Sequence, residues 1–108
     1  MIEKFTEFIS NILNKPGMYL VSKVEDLQFI IFGYLAALQI NMNGDELADF
    51  MYGFRRFVVT SCESKEDFDW SRLIRFYSSG DSGSLELFSK LFRQYLDLKN
   101  NSNRNRDY

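Results

Sequence analysis

The side chains in this 108-residue chain that are able to do chemistry are its carboxylates and one thiol. It has fifteen Asp and Glu residues, a single cysteine, Cys62, and no histidine. General acid–base catalysis near neutral pH most often uses histidine, and a nucleophilic thiol needs a base beside it. Cys62 has no histidine to serve it and reads as a partly buried structural residue. One cysteine excludes a disulfide within the chain, and the lack of histidine excludes a Cys/His zinc site. The pairs Glu3/Glu7 and Asp45/Asp49 are spaced to share the solvent face of a helix. No calcium-loop or P-loop spacing accompanies them. The residues therefore assign no catalytic, metal-binding or cofactor role.

What remains is binding by shape and charge. The net charge is −2, and the pairs Arg55-Arg56 and Arg72/Arg75 are too few and scattered for a nucleic-acid surface. The charge is uneven. Residues 45–70 carry seven acids (Asp45, Glu46, Asp49, Glu63, Glu66, Asp67 and Asp69) against three bases, Arg55, Arg56 and Lys65. Such a region is either plain solvated surface or a docking face for a basic partner. Tyr19, Tyr52 and Tyr77 fall near turns or stripe edges, where a tyrosine serves as an interface anchor or as a core-edge residue with a wet hydroxyl.

The elements that must position these residues read as helices. Ile2, Phe5, Phe8, Ile9, Ile12 and Leu13 recur at helical spacing and predict a helix over 2–14, stopped by Pro16-Gly17. Ser22 and Glu25 fit a capping box for a helix over 23–42. This stretch is apolar almost all round, as in a helix wrapped by others, so it is expected to be the central one. Asn43-Gly44 ends it. Asp45 caps a third helix, whose stripe is Leu47, Phe50, Met51, Phe54, Phe57 and Val58. Gly33 and Gly53 lie inside these two helices and are expected to allow close helix–helix approach. Residues 62–69 read as a loop. Trp70, Leu73, Ile74 and Tyr77 mark a short helix, residues 78–83 a turn, and Leu85, Phe88, Leu91, Phe92, Tyr95 and Leu96 a last helix over 84–98.

The expected fold is all-α: a compact bundle of about five helices around the apolar helix 23–42. The domain spans 1–98, and 99–108 forms a flexible, disordered polar tail. Eleven Phe, six Tyr and one Trp supply an aromatic core. The run 27–42 has polar interruptions and is too short for a spanning helix, which needs about 20 apolar residues. The N-terminus lacks the pattern of a signal peptide. With one free thiol, the expected location is the cytoplasm, with no membrane partner.

A longer pattern runs through the chain. It begins with Lys15-Pro16-Gly17-Met18-Tyr19-Leu20 and continues through Leu27, Gly33-Tyr34, Asp49-Phe50, Phe54 and Phe57. Trp70 and Ile74 follow, and then Ser84-Leu85-Glu86-Leu87-Phe88, Leu91 and Tyr95-Leu96. It resembles the small helical immunity proteins of bacterial polymorphic-toxin and contact-dependent growth-inhibition systems, over nearly all of residues 5–96. Val21 stands where that pattern has a small residue such as glycine. The resemblance implies a protein that binds a cognate toxin domain and occludes its active site. Many such toxins are basic nucleases, in keeping with an acidic face of Asp45, Glu46, Asp49, Glu63, Glu66, Asp67 and Asp69 with Tyr52 and Tyr19. No enzyme activity, cofactor or direct nucleic-acid contact is implied, and monomer and homodimer stay open. The alternatives are a helical adaptor or regulatory subunit, self-associating through exposed aromatics, and a carboxylate-based enzyme.

Overall fold

The computed structural model describes residues 2–40, 45–65 and 69–106. Among these the chain forms five α-helices and no strand: α1 (Ile2–Asn14), α2 (Val24–Ile40), α3 (Asp45–Ser61), α4 (Trp70–Tyr77) and α5 (Gly80–Arg106). A short 3-10 turn, Pro16–Tyr19, joins α1 to α2. The expected helix end at Asn43-Gly44 lies outside the described residues.

The core sits where α3, α4 and α5 meet. Phe54 of α3 has no exposed surface. The rings of Trp70, Phe88, Phe92 and Tyr95 surround it, with centroids 5.4 to 5.6 Å away. Most are tilted or edge-on, the arrangement the ring quadrupole favours. α1 closes the other side, with Phe5 packed on Tyr34 and Phe50. The buried positions of α1 are Phe5, Ile9 and Ile12, one face at helical spacing.

α2 packs on α3, α4 and α5, as an organising helix should, but it is not wrapped. Val24, Leu27 and Ile31 are buried, whereas Phe29 is 76% and Phe32 70% exposed on the far side. A helix apolar all round has no phase to reveal which face goes inward. The neighbours choose the face, and here they cover only one.

The start of α2 also differs from the expected capping box. Asp26, not Glu25, reaches back: its carboxylate accepts from the Ser22 amide at 3.0 Å and the Ser22 hydroxyl at 3.1 Å. The Val24 amide is satisfied from 60 residues away, donating to Ser84 Oγ at 3.0 Å. Ser84 is fully buried and donates in turn to the Asp81 carbonyl at 2.6 Å. Glu25 is thereby free to pair with Arg75 of α4.

Gly53 and Gly33 part company. A side chain at Gly53 would run into the Tyr95 hydroxyl, so this glycine does permit close approach of α3 and α5. Among the described residues nothing lies within 4 Å of where a side chain at Gly33 would begin, and no close approach is seen there. α5 begins at Gly80, four residues before the expected start. Gly80 has φ +82°, a left-handed backbone that only glycine adopts without strain. The helix continues past Leu98 to Arg106, into the residues expected to form a tail. At about 1.5 Å per residue its 27 residues span roughly 40 Å, which sets the 42 Å long dimension of the molecule.

Candidate binding surface

The first turns of α1 and α3 and the distal half of α5 enclose an open groove of about 630 Å³. Glu3, Glu46 and Asp49 line it with a single base, Lys99, and Ile2, Phe50 and Leu96 form its floor. The acids are here for a local reason: acidic side chains favour the positive end of a helix dipole, and Glu3 and Glu46 sit in first turns. Lys99 is partly occupied, its ammonium lying 5.6 Å from the centre of the Tyr95 ring. Among the described residues no salt bridge engages Glu3, Glu46 or Asp49. The groove is therefore a concave surface with surplus negative charge. Asp45 is exposed at the start of α3, and Tyr52, 58% exposed, continues the Asp45/Asp49 stripe at helical spacing.

The other expected contact residues do not converge on it. Glu63 lies beyond the opposite end of α3, whose 17 residues span about 25 Å. It occupies a left-handed position, φ 50°, and lines a separate groove of about 610 Å³ with Lys65, Arg72, Phe76 and Tyr77. Asp69 is exposed just before α4 and makes no side-chain capping bond. Tyr19 is 38% exposed and packs edge-on against Phe8, away from the acidic groove. Glu66 and Asp67 lie outside the described residues. The described acids of 45–70 are thus not one face. Two of them line the groove, and a third, Glu3, joins from α1. The sequence marks Glu3 only as a solvent-face residue, since nothing in it says that α1 packs its first turn against α3.

Exposed aromatic and aliphatic side chains also stand on the other faces. Phe76 is 78% exposed and meets Tyr77 at 5.0 Å between centroids. Met18 and Leu20 project from the 3-10 turn, 75% and 89% exposed.

Reactive groups are sparse. Burial raises the Cys62 thiol above its ordinary pKa, away from the reactive thiolate. The Arg75 guanidinium forks onto Glu25, with Nε and Nη2 donating at 2.9 and 2.7 Å, and Nη2 also donates to Asp81 at 3.0 Å. These bonds bring the Glu25 carboxyl down to about 2. The cluster joins α2, α4 and α5 and leaves no free acid or base in it. Among the described residues no three Asp, Glu or Cys side chains gather closely enough to hold a metal ion, and no helix is long and apolar enough to cross a membrane. Comparison of the chain with protein-family models, curated proteins and solved structures finds no match.

Proposed function

We propose that this chain is an immunity protein that binds a cognate bacterial toxin domain, a basic nuclease, and blocks its active site without chemistry of its own. The observation that carries this reading is the groove lined by Glu3, Glu46 and Asp49, with the exposed Tyr52 three residues beyond Asp49 on α3. A nuclease cleft gathers positive charge to hold phosphates, and a preformed acidic concavity is complementary to its basic rim. Such charge acts mainly on the rate of encounter and on partner choice. Tyr52 supplies the kind of amphipathic anchor that slows dissociation. The chain acts in the cytoplasm of the producing cell, where the toxin would otherwise do damage.

The test is to look immediately upstream for a gene encoding a large secreted protein with a C-terminal toxin domain, and to co-express that domain with this chain. Growth rescue, and a stoichiometric complex with the purified domain, are expected. A toxin that stays fully active in the presence of this chain overturns the reading. The second reading is a helical adaptor or regulatory subunit, favoured by the exposed apolar side chains Phe29, Phe32 and Phe76.

A further inference from the structure

We propose that the open face of α2 binds a second copy of this chain, as an antiparallel helix pair whose two-fold axis passes between Phe32 and Gly33. The inference deepens the self-association reading and does not depend on toxin binding. Phe29, Phe32, Gly33 and Ala36 share the exposed side of α2, with Glu25 at its start. Glu25 is engaged by Arg75, and no charged residue occurs from Leu27 to the end of the helix at Ile40. A charged partner finds no counter-charge along this face, and a second copy meets no like charge.

The sequence of the face is complementary to itself. In an antiparallel pair about an axis between residues 32 and 33, Phe32 lies opposite Gly33 of the second copy, and Phe29 lies opposite Ala36. Two-fold symmetry repeats both pairings. Each ring therefore meets a small residue, which lets two helices approach closely. Gly33 also needs an explanation. A glycine inside a helix is destabilising, and no neighbour among the described residues requires one here, because the space beyond it is open. A notch that receives the partner's Phe32 supplies the reason.

The area available sets the strength. Two aromatic rings about three-quarters exposed, with the small residues between them, offer roughly 450 Å² per copy. That is about half of what a standard interface buries on each side. The pairing is therefore reversible and concentration-dependent.

Light scattering and sedimentation of the intact chain, from about 5 µM to about 500 µM, test it. The mass is expected to rise from 12.8 kDa towards twice that value. Gly33→Leu fills the notch; a Cβ there meets nothing within 4 Å among the described residues and leucine favours the helix over glycine, so the variant is expected to keep the fold and to melt no lower while moving the dimerisation midpoint at least tenfold higher. Phe29→Ser, which removes a projecting ring, is expected to shift the midpoint in the same direction and covers the case in which the leucine variant misfolds. A chain that stays monomeric throughout, or a dimer indifferent to both substitutions, overturns the proposal.

Discussion

The Tyr95 hydroxyl donates to the Phe50 carbonyl oxygen at 2.7 Å and fills the space left by Gly53 one turn further along α3. The ring of Tyr95 is held by Phe50, Phe54 and Phe57 and has little room to move aside. The hydroxyl and the missing side chain form a matched pair between α3 and α5.

This pairing predicts a reversal of sign. Gly53→Ala normally gains about 1 kcal/mol of helix propensity, but here it is expected to destabilise by about 1–3 kcal/mol through overpacking. Tyr95→Phe removes the hydroxyl and costs about 1 kcal/mol for the lost hydrogen bond. In the Tyr95→Phe background, Gly53→Ala is expected to be neutral or stabilising, because the nearest remaining ring atom stands 3.4 Å away, an ordinary contact. Urea unfolding of the four proteins in this cycle measures the coupling. Additive effects would show that the hydroxyl is not what excludes the side chain.

The Ser84 hydroxyl accepts from the Val24 amide and donates to the Asp81 carbonyl, with no exposed surface. Ser84→Ala strands a buried amide at the start of α2 and is expected to cost about 1–3 kcal/mol. For a domain of this size that lowers the melting temperature by roughly 4–8 °C per kcal/mol. Ser22→Ala, which touches only an exposed bond to Asp26, is expected to cost less than half as much. The reverse ranking in thermal melts would place the operative cap at Ser22.

Most of the fold was legible because Phe5, Ile9 and Ile12, or Trp70, Leu73 and Ile74, repeat at the helical period. Two things were not. The period of α2 carries no phase, so the exposure of Phe29 and Phe32 depends on what α3, α4 and α5 cover. Pairings across the chain, such as Val24 with Ser84 or Glu25 with Arg75, are invisible to local spacing. The Ser22/Glu25 signature competed with a stronger bidentate partner for Glu25, and Asp26 took its place. For the groove, Glu46 and Asp49 were legible as an acidic first turn, whereas Glu3 and Lys99 join them only through packing of α1, α3 and α5.

Leu20 ends the 3-10 turn in the left-handed region, φ 59°, with its side chain 89% exposed. A non-glycine residue is strained there by about 1–2 kcal/mol, and no buried contact offsets it. Leu20→Gly is expected to raise stability by about 0.5–1 kcal/mol, once the greater freedom of glycine in the unfolded chain is deducted. A loss of stability would mean that Leu20 packs on the protein in solution.

The ion cluster predicts a pH dependence. The Glu25 carboxyl titrates at about 2 in the folded chain, against an ordinary value of 4.5, because Arg75 hydrogen-bonds its charged form. A depressed folded value stabilises above the unfolded pKa, and that stability is lost as pH falls from about 4.5 to about 2. Asp26 shifts the same way, held down by the Ser22 amide. Glu25 is more than a third exposed, so solvent screening limits its share to about 0.5–1 kcal/mol. Arg75→Met is expected to flatten the acid slope of stability in proportion and leave the Asp26 part in place. An unchanged slope in that variant would remove the pair from the account.

The proposed toxin binding makes its sharpest demand on the acidic groove. Changing Glu3, Glu46 and Asp49 together to Gln, Gln and Asn removes charge with little change of shape. Neutral amides are preferable to lysines, because reversed charge in the first turns of α1 and α3 opposes the helix dipoles by about 0.3–1 kcal/mol each and confounds binding with stability. If these carboxylates steer a basic partner, the association rate with the toxin domain is expected to fall about tenfold or more at low ionic strength. The difference from the unchanged chain is expected to shrink as salt screens it. The dissociation rate should move little, since exposed rim charges act mainly on encounter. Tyr52→Ala is expected to do the opposite, raising the dissociation rate at an unchanged association rate. Measured by surface plasmon resonance at several salt concentrations, the two variants separate steering from anchoring. If the amide variant keeps full association speed at low salt, the toxin docks on another face, and the charge of this groove belongs to its helix ends alone.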